Sequence, residues 1–136
     1  MHPNDNDFSL PIIVLRKDID ELGHVNNVVY VRWVQEVAAA HWNSLPSAEI
    51  RQKYLWVVVR HEIDYMHAAF EGDHLIATTW VDELNGARSA RFVHFINTKT
   101  GKLIAKAKTM WCLLDGVTLK PKRVDEEVNA LFKSQH

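Results

Sequence analysis

Between residues 28 and 42 the chain is apolar at most positions. The polar exceptions are few: Arg32, Gln35 and Glu36 stand three and four residues apart on one narrow stripe, and His41 lies near the end. The pattern predicts a helix over Val28–Trp42, started by Asn26 or Asn27, whose short side-chain oxygens can accept an orphan backbone N–H. A helix that is apolar around most of its circumference is expected inside a protein rather than on its surface. It calls for a sheet wrapped around it.

The rest of the chain supplies that sheet. Residues 8–16 read as a first strand, with Pro11 suited to an edge or an early position. Residues 44–53 hold Pro46 and room for a short helical turn. Tyr54–Tyr65 is rich in valine and aromatic residues. His74–Leu84 alternates, with Leu75, Ala77, Thr79 and Val81 on one face. Asn85-Gly86 signals a hairpin into Ala87–Thr98. A turn around Gly101 leads to a final strand, Lys102–Asp115, with Leu103, Ala105, Ala107, Thr109, Trp111 and Leu113 inward and Lys106 and Lys108 outward. Asp125–Lys133 predicts a short terminal helix. Strands joined by tight turns pair antiparallel. One such sheet curled around one apolar helix is an α+β architecture.

Composition narrows the class. A chain of 136 residues fits a single domain, 1–136, and can bury a core without staples. A net charge of -1 gives no basic excess, so nucleic acid is not expected as a partner. Cys112 is the sole cysteine, which excludes an internal disulfide and points to a buried structural thiol. Met1 to Ser9 is polar where a secretory leader would be basic and then apolar, and no apolar run reaches the ~20 residues a membrane span needs. The expected location is the cytoplasm, with no membrane partner.

The chemistry concentrates in one segment, from Asp18 through Asp20, Glu21, Gly23, His24, Asn26 and Asn27 to Tyr30. It leads from a strand into the start of the buried helix. A helix start offers free N–H groups and partial positive charge, which can polarise a carbonyl and hold an oxyanion. A carboxylate just upstream can act as general base or nucleophile. Gly23 allows a turn and the close approach of a ligand. Asp, Gly and Asn are also ordinary turn residues, and residue types alone leave a plain capping loop open. Asp18, two residues before Asp20, reads as a second nearby carboxylate or as a turn residue in solvent.

The pattern Asp20, Gly23-His24-Val25-Asn26-Asn27 and Tyr30 resembles the motif of hotdog-fold thioesterases, close to the 4-hydroxybenzoyl-CoA thioesterase type and to plant acyl-ACP thioesterases. Glu62-Ile63-Asp64-Tyr65, Ala68-Ala69, Gly72-Asp73 and Gly86-Ala87-Arg88-Ser89 extend the similarity over roughly Pro11 to Leu114. The resemblance implies a hotdog fold: about five antiparallel strands around one long helix. It implies hydrolysis of an acyl-CoA or acyl-ACP thioester, without a cofactor. Asp20 matches the catalytic carboxylate, and the Asn27 backbone N–H matches the donor that polarises the thioester carbonyl. Many relatives carry histidine or tyrosine where Asn27 stands. His24 and Asn26 fall where the plant branch has its proposed catalytic partners. Arg88 and Ser89, at a family hairpin, are the expected contacts for the coenzyme A tail. The rival expectations are an enoyl-thioester hydratase, whose Asp/His motif is not found, and an acyl-thioester binding module without turnover.

Other candidates read as structural. His61, His67, His74 and His94 are scattered, so no metal site is expected. Arg60 and Arg91 could contact coenzyme A phosphates but read first as solvated strand arginines, and Trp33, Trp56 and Trp111 could line an acyl pocket but read first as core. No Gly-x-Ser-x-Gly elbow and no phosphate-binding glycine loop are present. One helix cannot cover both faces of a sheet, so a homodimer or homotetramer is expected.

Overall fold

The computed structural model describes residues 7–133. Five strands form one antiparallel sheet: β1 (Phe8–Ile13), β2 (Tyr54–Tyr65), β3 (His74–Asn85), β4 (Arg88–Asn97) and β5 (Leu103–Asp115), in the spatial order β1-β3-β4-β5-β2. A long helix, α1 (Asn27–Ser44), lies across one face. Two short helices follow, α2 (Ala48–Arg51) and α3 (Glu126–Lys133). This curved sheet with its long helix is the hotdog architecture.

Alternation decides which strand residues meet the helix. Leu75 and Ala77 of β3, Val93 and Phe95 of β4, and Ala105 and Ala107 of β5 are buried together against Val29, Tyr30, Trp33, Val34 and Val37 of α1. Lys106 and Lys108 stay exposed on the opposite face, as their alternation predicts. The β3–β4 hairpin closes on two residues, Gly86 and Ala87, with Gly86 at φ 63. Glycine in that first position suits the right-handed twist of the flanking strands. At Gly116 the reason for glycine is space, since a Cβ there would meet the Lys53 carbonyl oxygen at 2.8 Å.

Three sequence expectations need correction. The helix is buried on one face only: Arg32, Gln35 and Glu36 are exposed as predicted, but so are Ala39 and Val28, the latter 72% exposed. His41, grouped with the polar residues, is fully buried and stacks on Phe8. Cys112 is half-buried rather than in the core.

A second apolar cluster sits at the C-terminal end of α1. There Val128, Leu131 and Phe132 of α3 pack on Leu45, Tyr54 and Leu113. The Tyr54 hydroxyl donates to Glu127 Oε2 at 2.8 Å, and burial first, then this bond, pushes its pKa up to about 12. α3 is thereby fastened to the start of β2.

Candidate active site

The segment before α1 folds as a small hairpin. Asp20 N–H donates to the His24 carbonyl, Gly23 N–H donates to the Asp20 carbonyl, and Ile19 bridges Val25. Gly23 sits at φ 89, a conformation that side chains with a Cβ rarely adopt. Val25 N–H bonds the Ala69 carbonyl at 2.9 Å, which ties the hairpin to the β2–β3 connection.

The two neighbouring carboxylates part company here. Asp18 is only 2% exposed. Its Oδ2 accepts the Leu15 N–H at 3.0 Å and its Oδ1 accepts Arg32 Nη2 at 3.0 Å. The expectation of a solvated turn residue is overturned: Asp18 is a structural anchor, held by an arginine one turn into α1. Asp20 has one oxygen on the Leu22 N–H at 2.9 Å and the other 3.9 Å from His24 Nδ1. Its side chain is partly open, at 22% exposure. Asp20 therefore keeps acceptor capacity that Asp18 has spent.

Asn26 is the cap of α1. Its side-chain oxygen accepts the Val28 N–H at 3.0 Å, so that oxygen is engaged locally. Asn27 opens the helix, and among the described residues its backbone N–H has no partner. Such first-turn donors are unsatisfied by helix geometry and carry partial positive charge.

A cleft of about 210 Å³ opens beside this helix start, lined by His24, Asn27, Tyr30, Tyr65 and His67 among others. Its wall contains groups to which the motif gave no role. His67 Nδ1 lies 3.1 Å from the Leu103 carbonyl. A carbonyl only accepts, so Nδ1 carries hydrogen, and in the neutral ring Nε2 is the basic nitrogen. His67 follows β2 by two residues with no motif to mark it, and only the fold brings it beside His24. Burial, with lesser contributions from Tyr65 and Asp73, pushes Tyr30 up to about 12, and burial also raises Tyr65. Both phenols stay protonated at neutral pH. The Tyr65 hydroxyl lies 3.4 Å from the Asn27 carbonyl and donates to it.

Arg88 and Ser89 lie elsewhere within one chain. Arg88 is exposed at the start of β4. Ser89 is buried and faces the C-terminal half of α1 alongside Ala38. Ala38 stands about 17 Å along the axis from Asn27 at the helical rise of 1.5 Å per residue. Arg60 is exposed and pairs loosely with Glu62. Arg91, expected in solvent, is buried at 5% exposure.

The fold is that of the hotdog-type thioester hydrolases. The family model described as Thioesterase-like superfamily matches residues 14–132, and the chain belongs to that family. An acyl-CoA thioesterase, YbgC of Haemophilus influenzae, is 29% identical over 132 residues, covering 94% of this chain and 96% of the relative. The structure of YbaW from Escherichia coli, a probable thioesterase, matches at 25% identity with a TM-score of 0.79, over 92% of this chain and 96% of that one. The 12:0-ACP thioesterase of Umbellularia californica shares the fold at a TM-score of 0.80 and 14% identity, over 95% of this chain and 50% of that one. The protein is a thioester hydrolase. No helix among the described residues is long and apolar enough to cross a membrane.

Proposed function

We propose that the protein cleaves acyl-CoA thioesters with Asp20 as the reacting carboxylate and the Asn27 N–H as the carbonyl-binding donor. The observation that carries this reading is the pairing of a half-open Asp20 carboxylate with an uncommitted helix-start N–H, on the two sides of one short hairpin. As the thioester carbonyl becomes tetrahedral, its oxygen gains negative charge. The Asn27 N–H and the first turn of α1 supply partial positive charge in advance, which lowers the barrier without reorganisation. Asp20 either takes the proton of an attacking water or attacks the carbonyl itself. In both routes the C–S bond then breaks, the thiolate leaves, and water supplies the oxygen of the free acid. His24, 3.9 Å from Asp20, helps to hold the carboxylate in place.

The carrier reading, coenzyme A, rests on the Haemophilus relative. We further propose that the chain acts as one domain in the cytoplasm, as a homodimer or a tetramer of such dimers, with the Arg88 side chain of one subunit serving the coenzyme A tail held by the other. The apolar face of β2, with Leu55, Val57 and Val59 each at least 40% exposed on an edge strand, favours that assembly. The decisive experiment is a panel of acyl-CoA substrates assayed by release of free thiol. Asp20→Asn keeps the shape but loses the basicity, and is expected to lower kcat by about 10²–10⁴-fold, the usual worth of a positioned acid or base. Its melting temperature should barely move. Near-normal turnover in the folded variant would remove Asp20 from the mechanism and make His67 or His24 the next candidate.

A further inference from the structure

Thioester hydrolysis moves protons at two places. One proton leaves the attacking nucleophile's side, where Asp20 lies. The other must reach the sulfur, which departs as an alkyl thiolate. Thiols of that kind ionise at about pH 8.5, so the sulfur ends as a thiol at neutral pH, and a proton delivered as the bond breaks lowers the barrier. The side chains of the cleft wall that can titrate are His24, Tyr30, Tyr65 and His67.

The two phenols hold their protons too tightly. Burial first, then Tyr65 and Asp73, pushes Tyr30 up to about 12, and burial raises Tyr65 as well. Transfer from either phenol to an alkyl thiolate runs uphill. His24 turns its Nδ1 towards Asp20, at 3.9 Å, on the attacking side. His67 is placed differently. Its Nδ1–H meets the Leu103 carbonyl at 3.1 Å, a contact that persists whether the ring is neutral or charged. Nε2 is then the nitrogen that gains and loses the proton, and no protein group among the described residues engages it. The ring is exposed on the cleft wall, so Nε2 is open to a ligand. The chain around it is tethered on both sides. The Met66 and His67 N–H groups share the Ile104 carbonyl, at 2.8 and 3.1 Å, and the Ala69 carbonyl holds the Val25 N–H of the helix-start hairpin at 2.9 Å.

We propose that His67 is the general acid of the reaction, giving its Nε2 proton to the departing sulfur; the inference rests on this cleft being the hydrolytic site. The helix-start N–H of Asn27 and the His67 ring line the same cleft, so a thioester there has its oxygen and its sulfur served by different walls. As the C–S bond breaks, its electron pair stays on sulfur and takes the Nε2 proton of the imidazolium. The ring is left neutral and regains a proton from solvent. Where Asp20 acts as a base, the proton it took from water returns to solvent, and the products are the free acid and the thiol. Where Asp20 attacks the carbonyl itself, the same delivery to sulfur accompanies formation of the acyl–Asp20 anhydride, which water then opens.

The test varies the leaving group. One acyl group, the one turned over fastest as its coenzyme A thioester, is presented both on coenzyme A and on 4-nitrothiophenol. The nitrothiophenolate is a stable anion that departs without a proton. His67→Asn keeps an amide N–H for the Leu103 carbonyl but has no group that titrates near neutral pH. It is expected to lower kcat for the acyl-CoA by about 10²-fold, within the usual worth of a positioned acid, and kcat for the nitrothiophenyl ester by less than about threefold. The ring is exposed, so the melting temperature should stay near the parent's, and His67→Gln should repeat the selective loss if His67→Asn does not fold. Asp20→Asn should slow both esters, because attack precedes departure in each. Equal losses for the two esters in the His67 variants would make the residue structural and overturn the proposal, as would undiminished turnover of the acyl-CoA. A selective loss in His67→Asn beside normal turnover in Asp20→Asn would uphold His67 and remove Asp20, so the two readings fail separately.

Discussion

Asp18 and Asp20 are two residues apart and of one type, yet their surroundings give them different work. Asp18 has exchanged water for the Leu15 N–H and the Arg32 guanidinium. Changing it to Asn retains one acceptor but turns an amide towards Arg32. We expect Asp18→Asn to destabilise the fold by about 1–3 kcal/mol, the range for lost charge-assisted bonds at a buried group, read as a lower melting temperature. Asp20→Asn should do the reverse, sparing stability while removing turnover. Measuring both variants for melting and for kcat separates anchor from reactant. If Asp18→Asn melted like the parent, the buried pair with Arg32 would contribute nothing to the fold. The spacing of the two carboxylates carried no sign of this split, because the sign lies in which of them meets Arg32. The same blindness applies to Arg91 and His41. Each is a polar residue in an apolar setting, and only the packing of α1 and α3 shows that they bury each other.

At the scale of elements, β2 is the exposed flank of the sheet, paired with β5 on one side only. A long strand with free backbone groups and apolar side chains invites another strand, and a charge there discourages it. Val57→Lys is expected to shift the protein from dimer to monomer in sedimentation at micromolar concentration while leaving the fold intact, since Val57 is 40% exposed within one chain. A parent that sediments only as monomer would remove the assembly from the proposal, and with it the shared site. Most of the elements were legible from the chain. The apolar run of α1, the alternation of β3 and β5, and the Asn85-Gly86 turn each express a local rule, and the strands and helix follow them to within a few residues. What local rules could not give was which side of α1 faces the sheet. Val28 and Ala39 are apolar and still exposed, so hydropathy alone overstated the burial. The candidate site could be read from the chain only where the motif is contiguous, from Asp20 to Tyr30. It was silent at His67, which the chain places far away and the fold places beside His24.

For the molecule as a whole, Arg88 tests how the substrate's tail is shared. It is exposed at the start of β4, and in the proposed dimer it would serve a nucleotide in the partner's cleft. Arg88→Ala should raise KM for acyl-CoA more than it lowers kcat, because it removes binding common to ground and transition states. The effect should fade at high salt, as exposed charges are screened. An unchanged KM would place the nucleotide elsewhere. The strand order also has a kinetic consequence. β3, β4 and β5 are consecutive in the chain and joined by short turns, whereas β1 must find β3 across a span that contains α1 and β2, and β2 must find β5 across the whole meander. Closing long loops costs entropy before any contact repays it. The central meander should therefore be formed at the folding barrier, and the two flanking strands should dock after it. In folding kinetics, Val93→Ala in β4 is expected to slow folding with a φ-value above about 0.5, while Leu10→Ala in β1 should mainly speed unfolding. The reverse ranking would mean that the chain first closes its longest loops. On the expected ranking, the edge strand β2, on which the proposed assembly rests, is among the last parts of the chain to settle.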